Sequence, residues 1–297
     1  MTKEFVTVED FLDDNTSAAE KFVRMLYLYV LDRHGEPEGV AHNVNALGPT
    51  PTFGDAVDLF SVFATGPEAT QTMARKKATP PPGQIPVTNV VSVGTHCLTA
   101  VMLKKIGLKA YSTPFDWIFS SIPMVAHCIS DDFAHFLDKR HFSPIPLEKR
   151  IDSNTSFCDH QFYLENFGVR SVFNHYDISK DEVYDYYRRC VDRFRKAIRS
   201  GDRTLLIGIV PHSPEIENNF NNLSEVIKDR PGVELLLIGA KKANHLKFGF
   251  ELIKKNGKNN LFELNMFGGM APLEFTSYYD EILFERILDQ YLFKARM

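Results

Sequence analysis

Four cysteines in 297 residues, none of them in a C-x-x-C pair, are too few and too scattered to staple a chain of this size. Cys97, Cys128, Cys158 and Cys190 are therefore expected as free thiols in a reducing cytoplasm. Basic charge is not in excess either, since 34 Lys and Arg against 38 Asp and Glu leave a net charge of −4. No global positive field draws in nucleic acid or an anionic membrane surface, so neither is an expected partner. No apolar run approaches the roughly 20 residues of a membrane span. The first 17 residues are acidic and lack the continuous apolar core of a signal peptide. Phosphate-binding signatures are missing as well. The run 92–97, SVGTHC, has neither G-x-G-x-x-G nor a Walker Lys-Ser/Thr, so no nucleotide cofactor is expected.

What remains is 44% hydrophobic and 24% charged, enough apolar mass for one large domain and a small one. Residues 1–72 read as a helical accessory domain. In 18–31 the apolar residues Phe22, Met25, Leu26, Tyr29 and Val30 recur at helical spacing. Ser17 stands at the cap with Glu20 at the capping-box position. Gly35, Pro37 and Gly39 mark a loop, and shorter helices follow at 40–47 and 53–63. Residues 73–86, MARKKATPPPGQIP, cannot continue a helix through three prolines and read as an extended linker.

Residues 87–297 alternate. A β-branched run ends at Gly94-Thr95, and a helix begins directly after Cys97 with Leu98, Val101, Met102 and Ile106. Helices are predicted at 124–137, 181–199, 217–228 and 273–293, and strands at 169–173, 204–210, 233–238 and 260–264. The runs TLLIGIV and VELLLI are continuously apolar, as in strands covered on both faces. The pattern predicts an α/β fold with a predominantly parallel sheet flanked by helices in three layers, preceded by the small all-helical domain. Right-handed crossovers place Thr95-His96-Cys97, Asn174-His175, Pro211-His212 and Ala240-Lys241 on one edge, where open α/β sheets bind ligands.

A cysteine at a helix start gains from the partial positive charge there, which favours thiolate. The alternative is a small buried hydrophobe at a turn. His175 is the natural base for Cys97, and His212, after TLLIGIV, is the competitor. Asp177 either orients the ring or caps the next helix. Asp116, in Pro114-Phe115-Asp116-Trp117, either orients an imidazole or is a turn aspartate beside a core tryptophan. His96, Trp117 and His212 are candidates for touching substrate, although His96 is expected to diverge from its neighbour by about 100°. His127, His135, His141 and Cys158-x-His160 match no tight zinc spacing. His127 and His135, eight residues apart on one predicted helix, would not chelate one ion without a bend, so no metal is expected.

Two resemblances extend this reading. Phe22-Val23-Arg24-x-Leu26-Tyr27, Pro37-x-Gly39 and Val44-Asn45-Ala46-Leu47 resemble a short helical repeat of unassigned function, found on bacterial surface, secreted and glycan-related proteins. It implies docking of a protein partner. Ser92-Val93-Gly94-x-x-Cys97, Leu103-Lys104-x-Ile106-Gly107-Leu108, Pro114–Trp117, Asp132-Phe133, Phe173-x-His175 and Tyr187-Arg188-Arg189-x-x-x-Arg193-Phe194 resemble a bacterial family described as papain-like cysteine peptidases. That resemblance implies Cys97 as nucleophile, His175 as base, and Asp177 or Asp116 as third member. It also implies an antiparallel, barrel-like sheet, against the parallel sheet that the periodicity predicts. The expected function is a cysteine-dependent hydrolase of an amide, peptide or ester carbonyl. An acyltransferase or a non-catalytic binding module of a surface-glycan pathway is the alternative.

Overall fold

The computed structural model describes residues 16–78, 85–150, 157–243 and 249–294. Most of the predicted linker's proline-rich centre lies outside the described residues, and its start is helical. Four helices come first: α1 (Ala18–Leu31), α2 (Pro37–Leu47), α3 (Phe53–Thr65) and α4 (Pro67–Ala78). Their ends follow local chemistry. The Ser17 hydroxyl accepts from the Glu20 N–H at 3.1 Å, and Asp32 leaves α1 in the left-handed conformation at φ 57°. Thr52 and Asp55 form a reciprocal capping box on α3.

A five-stranded sheet holds the rest together, in the order β1 (Asn89–Ser92), β4 (Thr204–Pro211), β5 (Val233–Lys242), β7 (Asn259–Met266), β6 (Gly249–Asn256). The first four are mutually parallel, and β6 adds antiparallel to β7. The mostly parallel sheet agrees with the periodicity and departs from the antiparallel sheet implied by the papain-like label. β6 was not predicted, because GFELIKKN is charged along much of an exposed edge and carries no continuous apolar run. A separate pair, β2 (Phe142–Pro144) and β3 (Cys158–His160), is antiparallel.

Both faces of the sheet are buried along its central strands β4 and β5, whose side chains alternate between them. Leu205, Ile207 and Ile209 join one core with α5 (Leu98–Lys105), α10 (Tyr278–Leu288) and the N-terminal helices. Leu206 and Val210 join the other with α6 (Ile122–Ser130), α8 (Asp181–Arg199) and α9 (Ile216–Ile227). The N-terminal helices thus pack directly on the sheet unit: Phe60 meets Phe267 with ring centres 4.6 Å apart, and Arg286 donates to the Val30 carbonyl at 3.2 Å.

Three predicted elements differ. The helix expected over 124–137 stops at Ser130, because the Asp131 carboxylate accepts from the N–H groups of Phe133 and His135, each at 3.0 Å. A side chain that competes for backbone donors ends the helical ladder. Asp132 and Phe133 then turn the chain back through left-handed φ values of 53° and 61°. The strand expected at 169–173 is reduced to one bridge, Phe173 to Cys158, because Ser171 is left-handed at φ 49° and donates its N–H to Asp159. His175 therefore does not come from a strand of the central sheet. The last helix covers only Tyr278–Leu288 of the predicted 273–293.

Candidate active site

The site begins where β1 runs out. Gly94 is required there by a close approach, since a Cβ would collide with the buried Thr99 side chain. Thr99 ties α5 to β4, its hydroxyl oxygen accepting from the Ile209 N–H at 3.0 Å. Cys97 occupies the cap position of α5 with φ −61° and ψ −20°. The loop between α5 and α6 braces this turn. Ser120 donates its hydroxyl to the Gly94 carbonyl at 2.8 Å and its N–H to the Thr95 carbonyl at 3.0 Å. The neighbouring Phe119 N–H reaches the Val172 carbonyl at 3.0 Å, and Phe173 exchanges two backbone bonds with Cys158, each 3.1 Å. The loop thus fixes the segment carrying His175 relative to the turn carrying Cys97.

The outcome is a thiol and an imidazole in contact: Cys97 Sγ lies 3.3 Å from His175 Nε2. Burial pushes the Cys97 thiol up. A hydrogen bond from the Asn174 side chain and one from backbone oppose the rise, and the Asp116 charge adds to it. The helix start therefore does not make a resting thiolate, as it was expected to do; loss of hydration outweighs it. Burial also pulls the His175 imidazolium down from its ordinary range. Both shifts favour the neutral pair, a thiol facing a free-base imidazole.

The other sequence candidates separate. Asp116 is fully buried, accepts from the Thr113 N–H and, at 2.9 Å, the Thr113 hydroxyl, and pairs with Lys109. These bonds tie Asp116 to its own loop and to Lys109. Asp177 accepts from the Ser179 N–H at 3.0 Å and hydroxyl at 2.7 Å, ahead of α8. Among the described residues no hydrogen bond joins either acid to His175. His212 pairs through Nδ1 with Glu263 at 3.2 Å, and Lys241 reaches the other oxygen of Glu263 at 2.7 Å. That group sits over the ends of β4, β5 and β7 and makes no described bond to Cys97. His96 turns to its neighbour, Nδ1 being 3.1 Å from the Thr95 hydroxyl.

Trp117, a candidate for touching substrate, faces a cavity. With Tyr176, Val183, Tyr186, Leu273 and Glu182 it lines a cavity of about 540 Å³ that includes His175. Cys97 is not among the lining residues and is only 1% exposed. Asn174 was missed as a site residue. It is buried beside His175, its side chain bonds the sulfur, and its Oδ1 has no partner. Its position directly before His175 was the available signal. Nothing in the sequence marked Ser120. The metal expectation also changes: His127, Asp131 and His135 are brought together by the turn at Asp132 and Phe133, with their ligand atoms within 4.8 Å of one another.

The fold and site together define a mostly parallel α/β chain in which a buried cysteine meets a half-buried histidine beside an aromatic cavity. Residues 88–230 match a family model described as "Putative papain-like cysteine peptidase". The match covers Cys97, Asp116, Asn174 and His175. An uncharacterized protein of Acanthamoeba polyphaga mimivirus is 28% identical over 135 residues, 39% of this chain and 59% of that protein. This chain thus aligns with less than two thirds of that relative's length. No solved structure matches.

Proposed function

We propose that the chain is a cysteine-dependent hydrolase acting on an amide, peptide or ester carbonyl. The observation that carries this reading is the 3.3 Å contact between Cys97 Sγ and His175 Nε2. As Sγ bonds to the carbonyl carbon, Nε2 takes the thiol proton. The N–H groups of the first turn of α5, which have no intrahelical acceptors, are the natural donors to the oxyanion. Collapse expels an amine or alcohol that receives the proton back from His175. A thioester on Cys97 remains; water attacks it with His175 again as base, the C–S bond breaks to release the acid, and the proton on His175 returns to Sγ. Asn174 holds the sulfur through its side-chain amide. Among the described residues no acid bonds His175, which supports reading the centre as a dyad in which Asp177 and Asp116 brace loops. The cavity walled by Trp117 receives the acyl or leaving group.

A second reading, a non-catalytic binding module with the N-terminal helices docking a protein partner, is favoured by one observation: Cys97 is 1% exposed. Four free, buried cysteines are compatible with residence in a reducing compartment. Among the described residues no helix is long and apolar enough to cross a membrane. The two readings part in one experiment. A panel of activated acyl esters and peptide amides is incubated with the chain, which is then weighed intact and peptide-mapped. Hydrolase chemistry leaves an acyl adduct on Cys97 that decays with turnover and is missing in Cys97→Ala. Turnover unchanged in Cys97→Ala, or no adduct with any acyl donor, contradicts it.

A further inference from the structure

At the C-terminal end of α6 and in the turn that follows it, a second constellation has no part in this chemistry. Asp131 Oδ2 lies 2.8 Å from His135 Nδ1 and 3.8 Å from His127 Nδ1. The second distance is beyond a hydrogen bond, and among the described residues the buried His127 Nδ1 has no hydrogen-bond partner. An orphaned imidazole nitrogen aimed at a carboxylate that already holds another imidazole is an unusual arrangement for a turn.

We propose that His127, Asp131 and His135 bind one divalent transition-metal ion of the zinc class. Two imidazoles and one carboxylate suit zinc and its neighbours, whereas magnesium and calcium take oxygen ligands. Tetrahedral zinc at about 2.0–2.1 Å from each ligand holds its ligand atoms about 3.4 Å apart. The observed 2.8 and 3.8 Å bracket that spacing, and the remaining pair lies within 4.8 Å, so side-chain shifts of about an ångström complete the set.

The surroundings are those of an oriented site. The Asp131 carboxylate is steered by the N–H groups of Phe133 and His135. Phe162 stacks on the His135 ring at 4.3 Å and lies 5.0 Å from His127. The reversal that brings His135 back is held in place by Asp132, which takes Arg199 at 2.7 Å and Arg195 at 3.2 Å. The His127, Asp131 and His135 side chains are 25%, 17% and 42% exposed, which leaves a path for the ion and room for water as a fourth ligand. The ion would tie the end of α6 to the turn that follows it, taking the place of the His135–Asp131 hydrogen bond, with His135 bound through Nδ1 as the neutral imidazole that carries its proton on Nε2.

The test is titration of the full chain carrying Cys97→Ser, so that no thiolate at the other site competes, with Co²⁺ followed by visible absorption and Zn²⁺ as competitor. One equivalent should bind with a spectrum of nitrogen and oxygen ligation, and Zn²⁺ should displace it. His135→Gln and His127→Gln should each weaken binding by about 100-fold. If His127→Gln does not fold, the more exposed His135 variant and X-ray absorption of the Zn²⁺-loaded Cys97→Ser chain decide, the latter expected to report two imidazoles. No saturable binding below about 100 μM, retention within threefold in His135→Gln, or sulfur ligation would overturn the proposal.

Discussion

Cys97 and Cys128 are almost equally hidden, 1% and 0% exposed, and burial raises both thiols. Their partners differ. Cys128 Sγ sits 3.1 Å from the Tyr163 hydroxyl in an aromatic core, where the phenol is itself pushed up by burial and takes no proton at neutral pH. Cys97 faces an imidazole that burial keeps in its free-base form. The first arrangement is packing. The second is a proton acceptor placed against a nucleophile, and the comparison teaches that the partner, rather than exposure or the helix start, separates the two roles.

The largest effect expected is on turnover of any acyl donor found. Cys97→Ala should abolish it, a loss of at least about 10³-fold, while Cys128→Ala should leave it within threefold. Equal losses would erase the distinction. Next, His175→Ala should slow hydrolysis by about 10²–10⁴-fold, the usual worth of a positioned general base, with KM little changed.

The pH profile sharpens the comparison further. His175 must be neutral to act, and its lowered value keeps it neutral at pH values where an ordinary histidine would be charged. The acid limb of kcat/KM should therefore fall below about 6.5. The raised thiol places the alkaline limb above about 8.5, so the two shifts together widen the plateau. A pre-formed thiolate–imidazolium pair would instead show an acid limb at the depressed pKa of the thiol, and labelling of Cys97 already at its maximum at neutral pH.

Two smaller effects concern stability. Gly94→Ala forces a Cβ into Thr99 and should cost about 1–3 kcal/mol in urea unfolding, with activity falling beyond the stability loss because the Cys97 turn moves. Cys128→Ala removes a fully buried sulfur and its bond to Tyr163 and should cost about 1–2 kcal/mol while sparing the site.

Much of the centre was legible because it is local and periodic. The strand–Gly–Cys–helix run and the continuously apolar β4 and β5 announce a parallel sheet with Cys97 at one end. His175 was legible as a residue type but not by its placement. It arrives on an irregular segment held by Phe119 and Cys158, whose backbone bonds leave no mark in a pattern of apolar residues. The same limit hid the turn after α6. Nothing periodic shows that the Asp131 side chain would take two backbone N–H groups and fold His135 back towards His127. Edge strand β6 escaped for the opposite reason, since its exposure removes the apolar signal. His212 was placed on the expected sheet edge, yet its partner there is Glu263.

The central claim is that His175 accepts the proton of Cys97. The most direct measurement is alkylation by iodoacetamide, mapped cysteine by cysteine, in the wild-type chain and in His175→Ala across pH 5 to 10. Base assistance predicts that Cys97 is labelled at least about tenfold faster than Cys128 at neutral pH, and that this advantage collapses in His175→Ala. Equal labelling of Cys97 and Cys128 in the wild-type chain, or an undiminished Cys97 rate in His175→Ala, would contradict it.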